Sequence, residues 1–86
     1  IHVKDASIAI MKSIDIKNYN LINIAGSQIL SLRDICEIIS VKLNVEVNYK
    51  FYKNQNKNKV VGDTKLMNRL LFKPKIHFAE GIEDLI

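Results

Sequence analysis

Proline, glycine and cysteine are scarce in this chain of 86 residues, which has one proline, three glycines and one cysteine. With a hydrophobic fraction of 48%, this scarcity argues against a disordered segment and favours a folded protein. The single cysteine, Cys36, cannot close an internal disulfide, and its place on the apolar side of a predicted helix indicates a buried thiol. Disulfide-free cysteine usage fits a reducing cytoplasm, which is the location we expect.

Membrane and secretion signals are also missing. No apolar run approaches the roughly 18 residues of a membrane span, and the N-terminus does not place a charged region before a hydrophobic one. The net charge is +4, from 13 basic and 9 acidic residues. This mild excess permits a phosphate-bearing ligand or an acidic partner without requiring either.

Motifs for catalysis are missing too. The sequence has no glycine-rich phosphate loop and no Cys/His cluster with metal-ligand spacing. His2 and His77 lie at opposite ends of the chain, and His77 falls where a helix cap is needed, so structural roles are favoured for both. We therefore expect neither a catalytic residue nor a metal site among these residues.

Four stretches have the features of helices. Asp5 is placed to cap the first, and Ser31 with Asp34 forms a capping-box-like pair at the second. The first helix would have Ala6, Ile10 and Ile14 on one face, and the second Leu32, Ile35, Cys36, Ile39 and Leu43. Asp63 would cap a third, with Leu66, Met67, Leu70 and Leu71 on one face, and after Pro74 a last helix is framed by His77 and Glu80.

Three stretches have the features of strands. Residues 1–3 are consistent with the end of a strand, residues 21–25 form a short apolar run closed by Gly26 and Ser27, and residues 45–51 alternate between apolar and polar side chains. The sequence therefore predicts one small α/β unit, α+β-like, with two or three short strands and about four helices. A chain of this length buries only about 60% of the surface exposed on unfolding, so its core should be marginal.

One segment has the character of a binding site. Four lysines lie at positions 50, 53, 57 and 59 and follow or interleave with the aromatics Tyr49, Phe51 and Tyr52. Basic charge beside aromatic rings can hold a phosphate while stacking a base. The alternative is a strand whose aromatic rings face the core, followed by a solvated lysine loop, and the pattern alone favours this second interpretation.

Three blocks of sequence resemble motifs of the extended short-chain dehydrogenase/reductase family of NAD-dependent epimerases and dehydratases. Residues 1–6 (Ile-His-Val-Lys-Asp-Ala) resemble its Ile-His-Val-x-Asp-Val/Ala signature. Residues 22–35 resemble its Tyr-Asn-Ile-Gly-Ser-Gly stretch and the following Ser-Leu-Arg-Glu-Leu helix. Residues 62–66, 70–75 and 80–82 resemble the closing Asp-x-Ser-Lys, Leu-Gly-Trp/Phe-x-Pro and Glu-Gly-Leu pattern, with Leu71 and Ala25 replacing family glycines.

The resemblance implies that residues 1–86 are the C-terminal substrate-binding subdomain of a nucleotide-sugar epimerase, dehydratase or reductase. In that family the NAD-binding Rossmann domain and the catalytic Tyr-x-x-x-Lys pair precede the point corresponding to Ile1. The whole protein would use NAD or NADP, whereas these residues alone would bind no cofactor and show no turnover. The implied partners are a nucleotide sugar and the protein's own Rossmann domain.

The resemblance also implies two substrate-binding residues. A family arginine that holds the diphosphate commonly lies ten residues before the Asp of Asp-x-Ser-Lys, and counting back from Asp63 gives Lys53. Lysine keeps the charge but loses the planar, bidentate geometry of arginine. Asn56 falls where many relatives place an acidic residue that contacts the ribose, and its amide could still form hydrogen bonds.

Two other hypotheses from different classes stay open. A free-standing basic module could bind single-stranded nucleic acid through Tyr49, Phe51, Tyr52 and the lysines, with steeply salt-dependent affinity. Such a module leaves the opening and closing motifs unexplained. Alternatively, the chain could self-associate through apolar surface that a partner domain would otherwise cover.

Overall fold

The computed structural model describes residues 1–50 and 60–86, which fold almost entirely into helices and connecting segments. The α-helices are α1 (Val3–Ser13), α2 (Leu32–Leu43) and α3 (Phe78–Gly81). A π-helix covers Met67–Leu71, and a terminal 3₁₀ turn, Ile82–Asp84, continues directly from α3. Helices in these two ranges are too short or too polar to cross a membrane.

The expected α/β fold is wrong, because residues 1–50 and 60–86 contain no β-strand. Residues 1–3 lead into α1, while residues 21–25 and 45–50 have no regular structure; Phe51, the last residue of the third predicted strand, lies outside the described ranges. An apolar run gives a strand side chains to bury. It does not provide the second strand with which the backbone N–H and C=O groups must form hydrogen bonds. In the described ranges, the backbone of residues 21–25 hydrogen-bonds to no other backbone group.

Helix α1 begins three residues earlier than predicted. The cap is His2, whose Nδ1 accepts from the Lys4 amide at 3.1 Å, so the prediction that Asp5 caps this helix is wrong. The predicted apolar face is also wrong in part: α1 buries Asp5 and Ala9, whereas Ile10 and Ile14 stay exposed. The carboxylate of Asp5 is used elsewhere, as described below.

Helix α2 begins and ends as its sequence predicts. The Asp34 amide donates to Ser31 Oγ at 3.1 Å and the Ser31 amide donates to Asp34 Oδ2 at 2.9 Å, which completes the capping box. The helix ends at Asn44, whose φ of 53° places it in the left-handed conformation that often closes helices. No residue of α2 is fully buried, and the Cys36 thiol is free and half-buried rather than buried as expected.

The C-terminal helices form as predicted, but the cap of the last one differs. Asp63 Oδ1 accepts from the Lys65 amide at 3.1 Å and caps the turn that leads into the π-helix. His77 occupies the N-cap position of α3, but its side chain makes no capping hydrogen bond. Gln28 performs that role instead, because its Oε1 accepts from the Phe78 amide at 2.7 Å.

The core is small and lies between α1 and the π-helix. It consists of Ala9, Met67 and Leu71, with Ile16, Ile22 and Phe72 packed against it. The accessible surface is 7651 Å², whereas a compact monomer of this mass exposes about 5,200 Å². The radius of gyration, 16.1 Å, likewise exceeds the roughly 12 Å of a compact chain of this length. Much apolar surface therefore stays uncovered.

A candidate binding cleft between the two ends of the chain

A cleft of about 520 Å³ lies where the N-terminal segment meets the C-terminal helices. Its walls come from residues 1–4, residues 26–28 and the segment from Ile76 to Leu85. The cleft thus draws on all three blocks that resemble family motifs. Its volume is in the range of small-molecule sites.

Asp5 holds the C-terminal wall of the cleft in place. Its side chain is only 2% exposed, and its Oδ2 accepts from the Lys75 amide at 3.0 Å and the Ile76 amide at 2.8 Å. These two donors lie 70 and 71 positions away in sequence. A buried carboxylate needs such partners, because burying it without hydrogen bonds is costly. Asp5 therefore fixes the segment after Pro74 against α1.

His2 is the only imidazole on the cleft, and both of its ring nitrogens are engaged. Nδ1 accepts the capping hydrogen bond of α1, and Nε2 lies 3.0 Å from Asp84 Oδ2. A general base needs a free nitrogen within reach of its substrate. The contacts of His2 therefore support the structural role that the sequence analysis favours, and they join the first helix to the last turn.

The charges on the cleft are paired with each other. Asp84 Oδ2 also lies 3.7 Å from Lys4 Nζ, so one carboxylate faces two basic groups. The remaining walls are mainly apolar and include Ile1, Val3, Ile76, Phe78, Ile82 and Leu85. This lining suits an apolar group better than a phosphate, since the one lysine that lines the cleft already has an acidic partner.

The two predicted substrate-binding residues, Lys53 and Asn56, lie outside the described residues, as do Phe51, Tyr52, Lys57 and Lys59. The cleft residues that the structure describes do not include a predicted substrate-binding residue. Tyr49 is described, and the Arg33 guanidinium lies 5.2 Å from the centre of its ring, in cation–π contact. In the described ranges, no three His, Cys, Asp or Glu side chains come together in a way that could hold a metal ion.

The described residues do not fit NAD or NADP. A dinucleotide's pyrophosphate sits at a helix N-terminus whose amides are reached through a glycine-rich turn. Here His2 occupies the N-terminus of α1, and the capping box places the Asp34 carboxylate at the N-terminus of α2. At each end one first-turn amide already donates to a cap, and an anion at α2 would also meet the like charge of Asp34.

The sequence analysis missed two residues that shape this cleft, Gln28 and Asp84. Gln28 caps a helix 50 positions away, and Asp84 contacts His2 across 82 positions. Local patterns carry no sign of either contact, because each joins segments that are distant in sequence. The order of the motifs gives one indication of such a contact: it suggests that residues 1–6, which include Asp5, lie near residues 70–75, which include Pro74.

Comparison with known proteins adds no relative: no protein-family model, curated protein or solved structure matches the chain. The family interpretation therefore rests on the three sequence blocks and on how the structure arranges them.

Proposed function

We propose that this chain is the C-terminal, sugar-nucleotide-binding part of an NAD(P)-dependent nucleotide-sugar epimerase, dehydratase or reductase. The observation that carries the proposal is the contact of Asp5 with the Lys75 and Ile76 amides. This contact joins the first block to the third at the one buried carboxylate in the described residues. The acidic residue of the first motif, Asp5, is therefore buried and hydrogen-bonded, and a resemblance by chance would not lead us to expect this.

The second block meets the third in the same way. Gln28 caps α3 at Phe78, and the Asn23 side-chain amide lies 3.5 Å from the Asp63 carbonyl oxygen. The capping box of α2 lies within the second block as well. Hydrogen bonds therefore join the segments that contain the three blocks.

In this proposal the chain contributes binding and no chemistry. Lys53 supplies the positive charge for the diphosphate, and Asn56 forms hydrogen bonds with the ribose. The cofactor, NAD or NADP, belongs to a Rossmann domain of the same protein, which would cover apolar side chains of the irregular segment 21–25, such as the exposed Leu21. The protein acts in the cytoplasm.

Isothermal titration with nucleotide sugars tests the binding role. We expect UDP-, dTDP- or GDP-linked hexoses to bind the chain weakly, and Lys53→Ala to reduce the affinity about tenfold through loss of a charge-assisted contact. Lys12→Ala is the matched control, because it removes one lysine charge from the last turn of α1, outside the predicted binding segment of the sequence. No heat is expected with NAD or NADP. Cofactor binding by the chain alone, or equal effects of the two substitutions, would contradict the proposal.

The gene offers a second test. We expect the reading frame that contains this sequence to encode a glycine-rich loop and a Tyr-x-x-x-Lys pair before the codon for Ile1. A frame that contains neither would remove the support for an enzyme.

The nucleic-acid alternative is less well supported. Arg33 lies over one face of the Tyr49 ring, so that face is not available for stacking on a base. Fluorescence titration with a single-stranded oligonucleotide at low salt decides the matter. Tight, salt-sensitive binding would favour this alternative over the sugar-nucleotide proposal.

A further inference from the structure

One face of α1 is apolar and has no partner within the described residues. Val3, Ile10 and Ile14 are 71%, 62% and 80% exposed, and with Ser7 they form a line that we call the α1 stripe. The spacing of its members, four, three and four residues, is that of a coiled-coil seam. The opposite side of α1 packs Ala9 against the π-helix, so the stripe points away from the core.

The α1 stripe is complementary to itself. A two-fold axis midway between positions 8 and 9 pairs Val3 with Ile14 of an antiparallel second copy, and Ser7 with Ile10. Each layer then sets a smaller side chain against a larger one, which lets the two helices interdigitate. The helical backbone continues through Ile14, whose φ and ψ are −61° and −31°, so the last layer keeps its register. We propose that two copies of this chain associate through antiparallel α1 helices.

The polar groups near the α1 stripe do not oppose its burial. Ser7 Oγ donates to the Val3 carbonyl oxygen at 2.8 Å, and Ser13 Oγ donates to the Ile10 carbonyl oxygen at 2.6 Å. Both hydroxyl protons are therefore already used when water leaves. The flanking position Lys4 would lie about 13 Å along the axis from its copy, beyond the Debye length of about 8 Å at physiological salt. Lys4 also has an acidic neighbour, Asp84, in its own chain.

A standard interface buries about 800 Å² per partner, so exposed apolar side chains outside the α1 stripe must contribute to it as well. The α1 stripe would be the centre of such an interface, and the exposed Tyr19, which shares a groove with Ser13 at the end of α1, would extend it. A two-fold contact of this kind closes on itself and does not propagate into fibres. The inference does not depend on the sugar-nucleotide proposal.

Disulfide trapping tests the pairing and its direction. In a Cys36→Ser background, Val3→Cys and Ile14→Cys are prepared as separate variants and oxidised alone and mixed. The antiparallel arrangement places a thiol at position 3 about 16 Å from its own copy, too far for a disulfide, but next to a thiol at position 14 of the other chain. We expect covalent dimers in the mixture and not in either variant alone. Dimers from each variant alone, or none in any sample, would overturn the proposal.

Sedimentation equilibrium gives an independent measurement on the 86-residue chain. We expect the unmodified chain to dimerise, and Ile10→Lys to raise the dissociation constant about 100-fold or more, because the substitution removes a buried isoleucine from both halves. Val41→Lys is the matched control: it removes an apolar side chain that is 80% exposed on α2, off the α1 stripe, and should leave the constant unchanged. A strictly monomeric chain at high concentration would overturn the proposal.

Discussion

Replacing Asp5 with alanine should be among the most damaging single changes to this fold. The substitution removes two hydrogen bonds to a carboxylate, from the amides of Lys75 and Ile76. Hydrogen bonds to charged groups contribute about 1.5 kcal/mol or more each, so we expect the free energy of unfolding to fall by about 3 kcal/mol. A chain of this length has a total of about 4–13 kcal/mol. Asp5→Ala therefore removes a large fraction of the stability.

Urea unfolding followed by circular dichroism measures this loss, and hydrogen exchange at Lys75 and Ile76 locates it. Asp5→Asn is the matched variant: a single oxygen accepts both hydrogen bonds, so an amide oxygen can take its place and about half of the loss should be recovered. Asp15→Ala, at an exposed carboxylate, should change stability by less than about 0.5 kcal/mol. If Asp5→Ala matched Asp15→Ala, or if the two amides exchanged freely in the unmodified chain, the role of Asp5 would be refuted.

Two further predictions concern caps and close contacts. The amide and hydroxyl of Ser31 hold the pKa of Asp34 below its ordinary value of 3.8. Their contribution to stability is therefore complete above that pH and is lost as the pH falls through the lower pKa of the folded state. Circular dichroism between about pH 6 and pH 2 should show α2 weakening in acid, and Ser31→Ala should reduce that pH dependence. Gly81→Ala places a Cβ 2.7 Å from His2 Cδ2, so we expect a loss of about 1–3 kcal/mol in thermal unfolding. Gly26→Ala meets its nearest atom at 3.5 Å and should lose much less; equal losses would contradict the predicted clash.

The sequence predicts those parts of the fold that depend on neighbouring residues. The boundaries of α2 follow from Ser31, Asp34 and the apolar spacing between them and Asn44, all within a few turns of one helix. The turn capped by Asp63 and the end of the helix before Pro74 follow from equally local rules. These elements form where the sequence predicts them because a cap hydrogen-bonds to the turn next to it in sequence, so that neighbouring residues are enough to predict it.

The failures concern contacts between distant residues. An apolar run at residues 21–25 is compatible with a strand, but a strand also requires a second segment at hydrogen-bonding distance, and no local pattern reports one. Asp5 is a residue type that often caps helices, yet its carboxylate accepts hydrogen bonds from amides about 70 positions later, and His2 caps α1 instead. The same limit applies to the cleft, whose residues Gln28 and Asp84 are recruited across 50 and 82 positions.

The contacts of α1 with the last part of the chain have a consequence for synthesis on the ribosome. An isolated helix of 11 residues is marginal in water, so α1 depends on partners that are translated at positions 75–84. At about 5–20 residues per second, those partners follow Asp5 by about 4–14 s. During this interval the apolar residues of α1 have neither Met67 nor Leu71 to pack against, and a chaperone that binds short apolar segments would find this one available.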